Sequence, residues 1–149
     1  MQSLPEPFNA ATFFVDRHLT EGRGTRTAFR FDGRSVTYAA VADAVDRCGN
    51  ALAGLGVEIE QRVLLALNDT PAFAAAFWGT AKLGAVAVPV NPLLTPAEYA
   101  FLLNDSRARV VVVEHDAAAR VLAARAQCPW LRAVIVVGGS ALPGTLALD

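Results

Sequence analysis

Three consecutive titratable side chains, Glu114, His115 and Asp116, form the densest group of potential chemistry in the sequence. They follow an apolar run, and ligands of open α/β sheets bind at the carboxyl ends of the strands. A functional interpretation would make His115 a general base or a metal ligand. We favour a structural one, a polar loop in which Asp116 caps the following helix. The other histidine, His18, falls on the polar face of a predicted helix, where we expect it to be solvated.

The usual phosphate-binding loops are missing from the sequence. The loop after Leu67 contains no glycine, so it cannot form G-x-G-x-x-G, and G-x-x-x-x-G-K-[ST] occurs nowhere. Gly138, Gly139 and Ser140 could offer backbone N–H groups to an anion, but a plain turn is the favoured interpretation. No serine lies in a nucleophile elbow, and Cys48 is interpreted as a buried structural thiol. From the residues alone we assign no catalytic, cofactor-binding or metal-ligating residue.

The composition excludes several classes of protein. A length of 149 residues suffices for one domain, and a net charge of −1 gives no electrostatic case for nucleic acid or an anionic membrane. Two cysteines form neither a metal-binding spacing nor a disulfide framework. No apolar stretch is long and uninterrupted enough to span a membrane, and the first residues do not form a signal peptide. These features predict a cytoplasmic protein.

The elements that would position the candidate residues are predicted most clearly by residues 62–91. An apolar run, a polar break, an alanine-rich segment and a second β-branched run indicate strand, helix and strand. Thr70 is placed to cap the helix, and Pro71 suits its first position because the missing N–H would have no partner there. Both strands are apolar throughout, which is typical of parallel strands covered on both faces.

The rest of the chain continues this alternation. Strands near residues 62–67, 85–90, 109–114 and 133–137 alternate with helices, which predicts an α/β fold. The expected sheet is open, mostly parallel, doubly wound and flavodoxin-like, with the strand order 2-1-3-4. The predicted parts are an N-terminal helix and β-hairpin (8–37), the α/β unit (38–137) and a tail without a closing element (138–149).

Local signals in the N-terminal part set the ends of its elements. Asn9 is predicted to cap a helix over residues 10–20. An Asp32-Gly33 pair between short apolar strands predicts the hairpin, because both positions of its turn favour positive φ. Thr37 is predicted to cap a long helix over residues 38–55.

Similar signals occur in the C-terminal half. Thr95 and Glu98 are predicted to form a capping box, in which the side chain of each residue accepts a hydrogen bond from the backbone N–H of the other. A helix is predicted over residues 116–127, with Arg120 and Arg125 on its exposed side. These signals position elements without adding a reactive group.

Four groups of residues resemble aryl-CoA ligases of the adenylate-forming superfamily. The opening resembles that of benzoate-CoA ligases, through residues 8–11 (FNAA), 15–19 (VDRHL) and 21–24 (EGRG). Residues 36–38 (VTY) are similar to the first core motif of the superfamily, and residues 81–91 (AKLGAVAVPVN) to the second. The aryl-CoA ligase pattern continues through residues 91–95 (NPLLT), Tyr99 and residues 103–109 (LNDSRAR).

This resemblance implies an enzyme that joins a carboxylate to AMP, releasing pyrophosphate, and then transfers the acyl group to CoA. It implies a benzoate as substrate, and ATP, CoA and Mg²⁺ as cofactors of the intact enzyme. The family's phosphate loop, ribose-binding acid, catalytic lysine and aryl pocket are expected downstream of Asp149. Lys82 belongs to the second core motif, and Leu93 stands where some related ligases place a basic residue for CoA, so no functional residue is carried over.

We therefore expect residues 1–149 to be an incomplete N-terminal domain, inactive alone, with the remainder of the ligase chain as its partner. The apolar content of 54% is high for a small domain and predicts exposed apolar surface. Two alternatives stay open. A free-standing flavodoxin-like binder would bind AMP, ATP or flavin tightly, whereas a non-catalytic interaction module would capture a specific partner.

Overall fold

The computed structural model describes residues 8–148, so residues 1–7 and 149 of the predicted domain lie outside the described part. The main sheet has five parallel strands in the order β4-β3-β5-β6-β7. Its strands are β3 (Arg62–Ala66), β4 (Val86–Pro89), β5 (Val110–Glu114), β6 (Ala133–Val137) and β7 (Leu146–Ala147). The first four confirm the predicted 2-1-3-4 order.

The fifth strand corrects the expectation of a tail without an element. Leu146 and Ala147 pair with β6, and the N–H of Leu148 donates to the carbonyl of Val136 at 3.0 Å. A two-residue strand has no periodicity that a sequence could display. The position of this strand is fixed by pairing with the free edge of β6 and not by a local sequence signal.

Helices cover both faces of this sheet. They are α2 (Tyr38–Gly54), α3 (Pro71–Lys82), α4 (Pro96–Ser106) and α5 (His115–Ala124), the last followed by a 3₁₀ turn, Arg125–Gln127. Side chains such as Leu64 and Val111 form one core cluster with α4 and α5, while Val63 and Val110 form another with α2 and α3. Since alternate residues enter opposite clusters, β3, β5 and β6 need apolar side chains at almost every position.

The N-terminal part packs on α2. Helix α1 begins as a π-helical turn, Thr12–Asp16, and continues as Arg17–Thr20; β1 (Thr27–Phe31) and β2 (Arg34–Thr37) form the predicted antiparallel hairpin. Asp32 and Gly33 have φ values of 47° and 73°, which confirms the turn prediction.

The predicted caps are confirmed at three helices. The Oδ1 of Asn9 accepts the N–H of Ala11 at 2.9 Å, and the Oγ1 of Thr37 accepts that of Ala40 at 3.2 Å. Helix α4 carries the capping box of Thr95 and Glu98. These local signals succeed because each bond joins residues at most three positions apart.

At two other helices the predicted side-chain cap bond is absent, although Thr70 is the N-cap residue of α3 as predicted. Thr70 precedes α3 and Pro71 opens it, but the Thr70 hydroxyl is buried without a hydrogen-bond partner. Helix α5 begins at His115 with Glu114 as its N-cap residue, so Asp116 lies in the first turn and makes no cap bond. In the second case the helix starts one residue earlier than predicted because β5 leads into it without a loop.

The expected exposure of apolar surface is found. Phe13 and Phe14 are 38% and 52% exposed, and they continue through close ring contacts to Trp78 on α3. Within residues 8–148 no helix has the length and apolar character needed to cross a membrane.

Candidate functional site

A cleft of about 190 Å³ opens at the carboxyl ends of β3, β5 and β6, where the sequence places its polar candidates. The cleft is lined by Asn68, Pro92, Leu93, Glu114, His115, Asp116, Ala117, Arg120 and Gly138. Parallel strands bring these loops to one edge of the sheet although they are up to 70 positions apart in sequence. The structure thus gathers Glu114, His115, Asp116 and Gly138 in one place.

Glu114 uses its carboxylate to join neighbouring strand ends. Its Oε1 accepts the backbone N–H of Asn68 at 3.0 Å, which links the end of β5 to the loop after β3. A Cβ at Gly138 would lie 3.5 Å from Oε2, so this turn also packs against the carboxylate. Glu114 therefore positions the backbone of the cleft.

His115 is held by packing rather than by a catalytic partner. A Cβ placed on Gly139 would approach its ring to 2.6 Å, so only glycine fits beside the imidazole in this arrangement. The Nδ1 lies 3.5 Å from Oδ1 of Asp116, whose side chain is fully exposed. Across residues 8–148 no group of three or more His, Cys, Asp or Glu side chains could hold a metal ion. These contacts favour a structural role for His115, but the predicted polar loop is wrong, because Glu114 ends β5 and His115 begins α5.

The loop after β4 is fixed through one carbonyl oxygen. The O of Pro92 accepts the Tyr99 hydroxyl at 3.0 Å and Nη2 of Arg120 at 2.9 Å. In the same loop, the Oδ1 of Asn91 accepts a hydrogen bond from the backbone N–H of Leu93 at 2.8 Å. Burial raises the pKa of the Tyr99 phenol, with Arg120 opposing the shift, so this hydroxyl stays a donor.

The prediction that Arg120 and Arg125 are exposed on a helix over residues 116–127 is wrong for both residues. Arg120 is half-buried because it reaches across to Pro92, and Arg125 is half-buried because it donates to the carbonyls of Gly144 and Arg132. A helical pattern places these side chains on the polar side. It carries no information about carbonyls that other loops bring within reach of a long side chain.

Gly138 has a φ of 78°, a conformation that glycine adopts readily, and Ser140 is exposed. This geometry supports the interpretation as a turn.

Cys48 lies buried between α2 and α3, and burial raises the pKa of its thiol to about 11. Its interpretation as a structural thiol is supported as well, because a thiol that stays protonated is a poor nucleophile.

His18 and Lys82 also lie outside the cleft. His18 is half-buried, not solvated: its ring stacks on Tyr38 with centroids 3.8 Å apart, and Nδ1 accepts Nε of Arg23 at 3.0 Å. Desolvation, followed by Arg23, lowers the pKa of His18. Lys82 Nζ bonds Asp16 at 2.8 Å and Asp46 at 2.5 Å, so it ties α1 to α2 and α3.

Sequence reasoning missed the convergence of Tyr99 and Arg120 on Pro92. The Asn-Pro pair directly after a strand was a signal that the loop matters, but nothing in the spacing identifies its partners. The cleft as built can hold a loop rigidly and offer polar atoms to a ligand. Within residues 8–148 it brings together no nucleophile, base and orienting group.

The chain is similar throughout its length to known proteins. The AMP-binding enzyme family matches residues 16–148. The chain is 45% identical over 136 residues to the 4-hydroxybenzoate–CoA/benzoate–CoA ligase of Rhodopseudomonas palustris, covering 91% of the chain and 25% of the relative. It is 37% identical over 146 residues to the benzoate–CoA ligase of Thauera aromatica, covering 97% and 28%.

Solved structures agree with these relatives. The anthranilate CoA ligase AuaEII in complex with anthranoyl-AMP superposes with a TM-score of 0.90 at 36% identity, covering 96% of this chain and 27% of that one. A benzoate CoA ligase from Burkholderia xenovorans LB400 gives 0.80 at 35% identity, covering 93% and 27%. The chain thus spans about a quarter of the length of the relatives it matches. It belongs to the AMP-binding enzyme family, as part of an N-terminal domain like those of the aryl-CoA ligases.

Proposed function

We propose that the chain is the N-terminal part of an ATP-dependent aryl-CoA ligase acting on benzoate or a substituted benzoate. The observation that carries this proposal is the 45% identity to a 4-hydroxybenzoate–CoA/benzoate–CoA ligase over 91% of the chain. The high TM-score to an anthranilate CoA ligase supports the same substrate class. The incomplete domain of residues 1–149 and a cytoplasmic location, where ATP and CoA are available, belong to this proposal.

The proposed reaction has two steps. A carboxylate oxygen attacks the α-phosphorus of ATP and pyrophosphate leaves, which gives an aroyl-adenylate. The thiolate of CoA then attacks the aroyl carbonyl carbon, and AMP leaves as the new thioester forms. Mg²⁺ would balance the phosphate charge when bound.

The described residues do not form the nucleotide or metal site by themselves. They contain neither a glycine-rich phosphate loop nor an acidic cluster for Mg²⁺. Their proposed role is to support the site: Tyr99 and Arg120 fix the loop after β4, and Glu114 fixes the loop after β3. Such rigid positioning of strand-end loops is what an active site at this edge requires.

A chimeric enzyme tests the proposal directly. This chain replaces the matching N-terminal segment of the Rhodopseudomonas palustris ligase, and release of AMP and formation of the thioester are measured with benzoate, 4-hydroxybenzoate and a fatty acid. We expect aroyl-CoA formation within about tenfold of the parent enzyme, since scaffold changes that preserve positioning have modest kinetic effects. A folded chimera that forms no aroyl-adenylate would contradict the proposal.

Two measurements on the chain alone test the alternative of a free-standing nucleotide or flavin binder. Calorimetry with ATP, AMP and a flavin is expected to show no tight binding, and no thioester is expected to form. Micromolar binding of any of the three would favour a free-standing nucleotide or flavin binder.

The control for the chimeric enzyme is a matched chimera carrying Gly79→Val. This substitution obstructs the contact between α2 and α3, so the variant shows how much thioester formation a misfolded N-terminal segment leaves.

A further inference from the structure

The opposite edge of the sheet carries a row of arginines that the proposed ligase function does not use. Arg62 is the first residue of β3, Arg109 and Arg132 directly precede β5 and β6, and the three lie in one register row. The N–H of Arg109 donates to the carbonyl of Arg62 at 2.9 Å, and that of Arg132 to the carbonyl of Arg109 at 2.8 Å. Because adjacent strands are about 4.8 Å apart, the three α-carbons fall within about 10 Å.

An indole ring lies beside this row. The Cζ atoms of Arg107 and Arg109 are 5.4 and 5.5 Å from the centroid of the Trp130 ring, within the range of cation–π contacts. Trp130 is nevertheless 40% exposed. We call Arg62, Arg107, Arg109, Trp130 and Arg132 together the arginine edge.

The charges of the arginine edge are not neutralised by the rest of the described chain. None of its four arginines forms an ion pair with a carboxylate among residues 8–148. The nearest acidic residue in sequence to Arg62 is Glu60, and it contributes only its backbone oxygen, 3.4 Å from Nη1. Asp105 stands two positions before Arg107, as Glu60 does before Arg62. It is exposed and makes no ion pair with Arg107.

The row places like charges on adjacent strands. Like charges on directly adjacent strands repel one another, and an anion placed between them relieves the repulsion. Arg62, Arg107 and Arg132 are exposed, so an approaching ligand would meet their guanidinium groups without opening the core. The edge is therefore a preformed positive surface with an aromatic ring beside it.

We propose that the arginine edge docks an acidic segment of a partner protein. Guanidinium groups bind carboxylates through two parallel hydrogen bonds, and arginine and tryptophan are the residues enriched at the energetic centres of protein interfaces. A nucleic acid fits less well, because the chain has a net charge of −1 and lacks the excess of basic residues typical of nucleic-acid-binding domains. This inference is independent of the ligase reaction and concerns the edge opposite the cleft.

Fluorescence anisotropy with a labelled octaglutamate peptide tests the proposal. We expect the triple variant R107Q/R109Q/R132Q to bind the peptide about tenfold or more weakly, because it removes three charge-assisted contacts. The matched control is R26Q/R30Q/R34Q, which removes the same charge from exposed positions on and beside the hairpin and is expected to change affinity by about twofold or less. Circular dichroism establishes that both variants are folded.

Trp130 provides a second readout that needs no large change in charge. In a Trp78→Phe background, Trp130 is the remaining tryptophan, and its fluorescence is expected to change on peptide binding. Arg109→Lys keeps the charge but cannot form the bidentate hydrogen bond to a carboxylate. It is therefore expected to weaken peptide binding measurably.

Three outcomes would overturn the proposal. One is the absence of peptide binding even at low salt. Another is equal weakening by the two triple variants, which would indicate general charge attraction. The third is tighter binding of single-stranded DNA or polyphosphate than of the peptide, which would assign the edge to phosphate polymers.

Discussion

The α/β unit and the N-terminal part of this chain are held in place by different balances of apolar and polar contacts. In the α/β unit, β3, β5 and β6 are buried on both faces, and almost all of their side chains are apolar. Neither β1 nor β2 contains a fully buried residue. The N-terminal part contacts α3 through the rings of Phe14 and Trp78 and through polar groups. Nδ2 of Asn9 donates to the carbonyls of Ala81 and Lys82 at 3.1 Å, and Lys82 bonds Asp16.

This difference teaches where each part draws its stability. Burial of apolar area stabilises the sheet through many small contacts that no single polar change can remove. The attachment of α1 instead combines one small apolar cluster, Val15 against Val41 and Val45 of α2, with a few hydrogen bonds and one shared ammonium group. Substitutions in the sheet should therefore have large effects on global unfolding, and substitutions in the polar attachment should have smaller, more local ones.

The largest effect is expected for Leu64→Ala. Leu64 is fully buried on β3, and deleting its side chain leaves a cavity between the sheet and the α4 and α5 layer. We expect the free energy of unfolding to fall by about 3 kcal/mol in urea denaturation. The matched control, Leu93→Ala, changes a side chain that is 78% exposed and should shift stability by less than about 0.5 kcal/mol. Equal effects of the two would contradict apolar burial as the dominant force.

The next effect concerns the contact between α2 and α3. A Cβ on Gly79 would lie 2.9 Å from the carbonyl oxygen of Val45 and 3.0 Å from the Cβ of Cys48. Gly79→Ala should therefore lower the free energy of unfolding by about 1–2 kcal/mol, although alanine favours the helix by ~1 kcal/mol.

Gly54 provides the control for helix propensity. It is also helical, but nothing lies within 4 Å of its Cβ position. Gly54→Ala is expected to be neutral or to stabilise the protein by about 0.5 kcal/mol. A stabilising Gly79→Ala would show that the two helices can separate at little cost.

The same division explains what the sequence could predict. The run of valines in β5 and the capping box of Thr95 carry their structural information locally, and both are confirmed. The stacking of His18 on Tyr38 and the convergence of Arg120 on Pro92 join residues about 20 and 28 positions apart. Such contacts depend on where the fold brings a long or aromatic side chain, which periodicity does not report.

The candidate site divides in the same way. The positions of Glu114, His115 and Gly138 at one sheet edge follow from the parallel topology, which the apolar strands predict. Their roles do not follow, because the partner of Glu114 is the backbone of Asn68, and backbone groups carry no sequence signal. Topology could therefore locate the cleft, but it could not assign the hydrogen bonds within it.

A smaller effect is expected for Lys82→Met, which tests the polar attachment. Burial disfavours the charge of this ammonium group, but hydrogen bonds to Asp16 and Asp46 outweigh burial and raise its pKa. Because both contacts are partly exposed, we expect a loss of about 1 kcal/mol together with faster proteolysis of α1. Arg47→Met removes the exposed pair with Asp43 and should cost less than about 0.5 kcal/mol. Equal costs for the two would argue that Lys82 does not hold α1 in place.

The smallest effect is expected at the capping box of α4, where a charge at the surface of the α/β unit can be tested by pH. The backbone N–H and then the hydroxyl of Thr95 bond the Glu98 carboxylate and lower its pKa. A lowered pKa stabilises the folded state above the ordinary value of about 4.3, and this contribution is lost as the pH falls through the folded value. The advantage of the native chain over Glu98→Gln should thus be constant from about pH 6 to 8 and decrease below about pH 5.

The comparison between Glu98→Gln and the native chain isolates this one carboxylate, because all other acidic groups are common to both proteins. Thr95→Ser keeps a hydroxyl at the cap and should keep the pH dependence. A difference between the native chain and Glu98→Gln that stays constant down to about pH 3 would show that the hydrogen bonds do not favour the charged form. The effect of Glu98→Gln would then not depend on the charge of the carboxylate. The contrast between apolar burial at Leu64 and surface charge at Glu98 would no longer hold.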